Sequence, residues 1–168
     1  HVEAYKRTPF YIGLLALEEK FEAIHGYISN FVEQVKNLDQ QRKTIIYLAI
    51  CDKYISQKLP ASFLRTIFNV EDKVVFQLEQ YFSNDVGVVN SLLCKGNVGN
   101  NVVWGIRHPF FTEELLKQLL GTTSSSVKHP YCNLGNYCLS FIESMADNDI
   151  CSLEVKTNIL KDLFIGNT

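Results

Sequence analysis

The sequence predicts a mainly α protein with one small β element: a leading helical segment, a winged-helix unit and further helices. Three observations carry this. Apolar residues recur every three or four positions over most of the chain. A turn-rich segment, KGNVGNN at 95–101, lies between two short apolar runs. The order of elements is helix, helix, helix, hairpin, helix, the order of a winged helix. Hydrophobic content of 46% and charged content of 20% over 168 residues fit a globular chain with a sizeable core.

Residues 10–37 read as the first helix. Phe10, Leu14, Leu17, Phe21, Ile24, Ile28, Phe31 and Val35 form one apolar stripe. Gly26 interrupts it and is expected to bend or divide it, and His25 is expected to be half-buried. A second helix is predicted over 38–56, with Asp39 as N-cap and Ile45, Leu48, Ala49 and Tyr54 in the core. DQQRK, 39–43, should be its solvated end.

Pro60 opens a short helix over 60–69, since its missing N–H has no partner in a first turn. A further short helix is expected at 71–82. The runs around KGNVGNN, within 88–106, then form the hairpin, with Trp104 a core or interface aromatic. FTEELLKQLL forms the next helix. GTTSSSVKHP, 121–130, is small and polar and reads as a linker. Two amphipathic helices follow, over 131–146 and 151–165. The division expected is therefore 1–38, 39–120, 121–130 and 131–168.

The formal net charge of −2 argues against a dedicated nucleic-acid binder. In a winged helix reading DNA, the 60–69 helix would enter the major groove, yet it offers one arginine and no lysine. A helical protein-interaction scaffold is the other alternative. Five cysteines occur and no C-x-x-C. Cys51 and Cys94 sit in apolar runs and read as core residues. Cys132 and Cys138 with His129 lack the usual zinc spacing. A reduced, cytoplasmic protein is expected, and no apolar run approaches the ~20 residues of a membrane helix. The chain opens on His1 amid an interpretable pattern, so a longer parent is expected. No Ser/His/Asp or Cys/His set can be argued from spacing.

The junction RHPFFTEELLKQLL, from 107, passes from an apolar alternating run to a helix through Arg107, His108 and Pro109. Together with RTPFYIGLLALEEKF at 7–21 and the winged-helix order, it resembles the STAND class of P-loop NTPases, which includes the NACHT and NB-ARC switch proteins. LKDLFIG near the chain end also looks like the start of the helical region that follows the winged helix in some of them. The resemblance implies an ADP/ATP site shared with an upstream nucleotide-binding core, downstream sensor repeats and homo-oligomerisation on activation. It points to innate immune or antiviral defence. By the same resemblance, Pro9 packs on the adenine ring and His108 reaches the terminal phosphate of ADP. Without it, Pro9 merely begins a helix and His108 caps or packs at a tight turn. Arg107 either serves the same phosphate or, as the preferred reading, pairs with Glu113 or Glu114, a contact worth about 0–1 kcal/mol at a surface.

There is no G-x-x-x-x-G-K-[ST] loop and no apolar strand ending in paired acids. The purified 168-residue chain is therefore expected not to hydrolyse ATP; turnover that a point change within it abolishes would contradict this.

Overall fold

TIIYLAIC in the second helix leaves no polar face, so a helix through it must be covered on every side. The computed structural model bears this out. It describes residues 21–55, 57–71, 76–82, 86–121, 131–147 and 152–165. Pro9, the rest of 7–20 and the expected linker residues 122–130 lie outside the described residues, as do His129 and Cys151.

Helix α1 runs Phe21–Val35 and passes Gly26 without a break. Ile28, Phe31, Val32 and Val35 bury its inner face. A tight connection follows, in which the Leu38 N–H donates to Val35 O at 3.0 Å. Helix α2 runs Asp39–Tyr54. Its N-cap is Leu38, and Asp39 stands instead at the first helical position, where a carboxylate still suits the positive end of the helix dipole. Thr44 to Cys51 are eight consecutive buried residues. Tyr54 is only half-buried.

The sheet has three antiparallel strands in the order β1-β3-β2: β1 Leu59–Pro60, β2 Leu93–Val98 and β3 Asn101–Ile106. Leu59 faces Trp104 and Pro60 faces Val103, while β2 and β3 pair from Leu93–Ile106 to Val98–Asn101. The hairpin turn is two residues, Gly99-Asn100, tighter than the expected 95–101. Gly99 has φ +57°, the positive value that a type II′ turn needs at its first central position. Pro60 ends β1 and caps helix α3, Ala61–Ile67, from outside rather than beginning it. As a two-residue strand at the sheet edge, β1 tolerates a residue without an N–H.

Two expectations fail between α3 and the hairpin. The described part of 71–82 holds only a short 3₁₀ turn, Leu78–Tyr81. The apolar run before the hairpin is a helix, α4, Val86–Leu92, and not strand; β2 begins at its last turn. The 3₁₀ turn packs on α4 and is tied to α2 by Gln41 Nε2 donating to Tyr81 O at 3.1 Å.

Helix α5, Pro109–Leu120, lies against α2 and α1. Gly121, at φ +77°, ends it. The Cys132 N–H donates to Gly121 O at 3.0 Å and draws the next segment back to that end. Arg42, expected to be solvated, instead donates to Leu119 O at 3.3 Å. Helices α6, Leu134–Ala146, and α7, Leu153–Ile165, complete the described chain and pack on each other. Tyr47, Phe63 and Phe141 meet ring to ring at 4.9–6.2 Å and join α2, α3 and α6. At the rim of this cluster the Tyr47 hydroxyl shares hydrogen bonds with Ser140 Oγ at 2.9 Å and Ser144 Oγ at 3.3 Å. No described helix is long and apolar enough to cross a membrane.

Leu48 and Phe63 are wholly buried in this core. Truncation of either to Ala is expected to destabilise the chain by about 2–5 kcal/mol, measurable as a lower urea midpoint at unchanged m-value.

Candidate functional site

Pro109 shapes the corner between β3 and α5. Its ring cannot donate to a ladder, and it restricts the residue before it to extended backbone. His108 accordingly lies at φ −146°, ψ 135°, as N-cap of α5, with Pro109 in the first helical turn. Its Nδ1 accepts a hydrogen bond from the Phe110 N–H at 3.2 Å. An Nδ1 that accepts is unprotonated, so the neutral ring carries its proton on Nε2. Partial burial pushes the His108 pKa below the usual histidine value, and the nearby Asp52 carboxylate opposes that shift. A neutral capping imidazole and a lowered pKa are two aspects of one arrangement.

Arg107 is surface-exposed and does not pair with Glu113 or Glu114. Its guanidinium donates to Asn90 O at 2.7 Å and Leu93 O at 3.1 Å, while its N–H donates to Leu92 O at 2.8 Å. The cation thus sits at the carbonyl-rich end of α4, where the helix dipole favours it. Glu114 is taken by His25 Nδ1 at 2.8 Å and by Gln118 at 2.6 Å. His25 is exposed, not half-buried, and its contact with Glu114 joins α1 to α5.

Glu113 belongs to a different network. Lys53 on α2 pairs with one of its oxygens, and the Tyr131 hydroxyl donates to the other. Lys53 also reaches the Tyr131 hydroxyl at 3.2 Å. Burial raises the Glu113 pKa, but the hydrogen bonds from Lys53 and Tyr131 outweigh it, and the net shift is downward. Burial, aided by Glu113, pushes the Tyr131 phenol well up. Tyr54 rises to about 12, through burial first and then the charges of Cys138 and Glu113. One residue earlier on each helix, the buried Thr112 hydroxyl donates to Asp52 Oδ2. Burial raises the Asp52 carboxyl, against the pull of Thr112, His108 and Lys58. The end of α2 and the start of α5, with Tyr131 from the segment ahead of α6, therefore bring His108, Asp52, Thr112, Lys53 and Glu113 into one polar seam.

Sequence reading placed His108 and Arg107 at this corner but did not find Asp52, Lys53 or Tyr131. The one local sign was Asp52-Lys53, the polar pair that ends the apolar run of α2. Pro9, the third residue expected at a nucleotide, lies outside the described residues. Trp104 is buried beneath the hairpin, with Lys95 Nζ 5.5 Å from its ring centroid. Cys51 is a core residue, whereas Cys94 is only partly buried. Among the described residues no group of three or more His, Cys, Asp and Glu side chains is placed to hold a metal ion. No family model, curated protein or solved structure matches this chain.

The lowered pKa of His108 makes its contribution to stability pH-dependent. The unfolded chain takes up the proton near the ordinary value of about 6.5, and the folded chain only at lower pH. The stabilisation is whole above about pH 6.5 and is lost as pH falls through the folded value. His108→Asn keeps a capping oxygen without the titration, and His108→Ala removes the cap at a cost of about 1 kcal/mol. On acidification from about pH 7 to 5, the melting temperature of wild type should fall more steeply than that of His108→Asn; parallel curves would exclude the histidine as the source.

Proposed function

We propose that this chain is the lid and winged-helix portion, with the start of the helical sensor region, of a STAND-type nucleotide-dependent signalling switch. The winged helix would comprise α2, β1, α3, the 3₁₀ turn with α4, the β2–β3 hairpin and α5. The antiparallel order β1-β3-β2 favours this reading, because in a winged helix the short first strand pairs with the last strand of the wing. The observation that carries the nucleotide role is the rigid corner at His108: an imidazole fixed through Nδ1 at the N-terminus of a twelve-residue helix, a position whose dipole favours an anion. The Nε2 edge is the one that would meet the terminal phosphate of ADP. Arg107 would act on that phosphate only indirectly, by anchoring the corner through the carbonyls of α4. Pro9 would close on the adenine ring from the lid.

In this reading, ADP bound between the upstream core, Pro9 and His108 holds the winged helix closed. A ligand sensed downstream acts through its higher affinity for the open state. Nucleotide then exchanges, and the molecule opens and oligomerises, in the cytoplasm and in the service of innate immune or antiviral defence. A nucleic-acid role for the same fold is less well supported: Arg65, the single arginine of α3, donates to the Glu71 carbonyl, and Lys95 of the hairpin lies over Trp104.

The test uses the parent protein that carries the nucleotide core. His108→Asn, which preserves the cap, should raise the ADP off-rate by roughly tenfold to a hundredfold, the loss of one charged hydrogen bond of about 1.5–3 kcal/mol. An off-rate equal to wild type at equal folded stability leaves His108 a structural cap and removes the support for the switch reading.

A further inference from the structure

The register of the sheet sets three residues of unlike chemistry in one cross-strand row. Cys94 of β2 faces Gly105 of β3. Leu59 faces Trp104, so the residue before it, Lys58, continues that register opposite Gly105. Lys58 and Cys94 thus flank a position with no side chain. The lysine stem crosses that gap: a Cβ added at Gly105 would meet Lys58 Cγ at 3.1 Å, Cδ at 3.3 Å and Cε at 3.4 Å. At the far side Lys58 Nζ stands 3.2 Å from Cys94 Sγ, and the thiol in turn donates to Ile106 O at 3.5 Å. Gly96, two residues along β2, keeps the next space open, with Nζ 3.8 Å from where its Cβ would be. The neighbouring row, Leu59, Trp104 and Lys95, carries its lysine over an aromatic ring instead.

We propose that Lys58 and Cys94 form an oxidant-sensitive modification site, in which a hydroperoxide converts the pair into a reversible sulfur–nitrogen cross-link between the β1 edge and the hairpin. In the first step the thiolate of Cys94 attacks the peroxide. The O–O bond breaks, sulfur gains an oxygen and is oxidised by two electrons, and water leaves from hydrogen peroxide. In the second step the Lys58 amine, having lost its extra proton to solvent, attacks the sulfenic sulfur. The S–N bond forms, the S–O bond breaks, and the hydroxyl departs as water with a proton from nitrogen. A sulfenic acid condenses with a nitrogen nucleophile in this way when the two are held together. A thiol reductant reverses the link by attack on sulfur, with the amine as leaving group.

The partners are selective by position. Cys94 is partly exposed, so a small peroxide reaches it, whereas Cys51 is sealed in the core and its thiol is pushed well up by burial. The consequence is mechanical. β1 is held to the sheet by only two residue pairs, and the cross-link would fasten it to β2 across β3. The inference rests on this row alone and is independent of any nucleotide role.

The experiment treats the purified 168-residue chain with hydrogen peroxide and maps the digest by mass spectrometry. The expected product joins the Lys58 and Cys94 peptides at a mass two hydrogens below their sum, and added thiol separates them. Gly105→Ala, whose methyl displaces the lysine stem, should lower the yield roughly tenfold or more through lost proximity. Lys58→Arg keeps a cation beside the sulfur but should abolish the link and leave a sulfenic acid that a 1,3-dione traps. Lys58→Arg is a surface change and keeps the test valid if Gly105→Ala does not fold. Recovery of Cys94 as sulfinic acid or as a disulfide, with the Lys58 peptide unlinked, overturns the proposal. So does an undiminished loss of two hydrogens in Lys58→Arg.

Discussion

A helix with no solvent face has to be enclosed, and α2 is such a helix from Thr44 to Cys51. It takes contacts from α1, α3, β3, α5 and α6, so their packing surfaces are set by one cylinder of side chains. Eight consecutive buried residues bring two consequences. Apolar burial, which opposes chain entropy, is dense there: Ile45 to Ile50 are all wholly buried. Charged and amide side chains are confined to the two ends of α2, among them Gln41 and Arg42 at the start and Asp52 and Lys53 at the close. Those ends make long-range polar contacts, to Tyr81 and Leu119 at one side and to Thr112, Glu113 and Tyr131 at the other.

The polar seam between α2 and α5 follows from that enclosure. Helix α5 has to lie along α2 to cover it, which brings its first turns beside the last turn of α2. His108, capping α5, is thereby set near Asp52, and the two groups shift in opposite directions for one reason: partial burial disfavours the charged form of each. The corner is stiff. Pro109 fixes the backbone, the Phe110 N–H fixes the ring, and Arg107 ties the preceding residue to the end of α4. An anion meeting this corner would find the His108 ring already ordered, so little entropy would be lost in arranging it.

What could be read from the sequence was whatever local pattern determines. The stripe from Ile28 to Val35, the unbroken apolar run of α2 and the glycines and asparagines between Lys95 and Asn101 all give their elements directly. β1 was hidden because two residues carry no period; Leu59 and Pro60 are a strand only because Val103 and Trp104 lie opposite. VGVVNSL of α4 is rich in β-branched residues and beside a hairpin reads as strand, yet it is helix, packed against the 3₁₀ turn. That one misreading propagated. With α4 absent, its terminal carbonyls were absent too, and Arg107 was assigned to the nearest carboxylates. At the corner itself, the cap by His108 was legible as one of two roles, since a residue before a helix-opening proline is a natural N-cap. Lys53, Glu113 and Tyr131 are separated by up to 78 positions in the chain, and no local pattern announces them.

The hydroxyl of Tyr47 gives the enclosed helix an angular reference. Ring packing against Phe63 and Phe141 is only weakly directional, because apolar surfaces have no donor or acceptor to align. Hydrogen bonds to Ser140 and Ser144 are directional, and these serines stand one helical turn apart on the same side of α6. A shift of α6 by a single residue would swing both serines about 100° around its axis and leave the phenol facing Leu139 or Phe141. The pair therefore works as a notch that selects one rotational setting of α6 on α2. One oxygen atom at the edge of an aromatic cluster thus helps to orient α6 and, through it, α7.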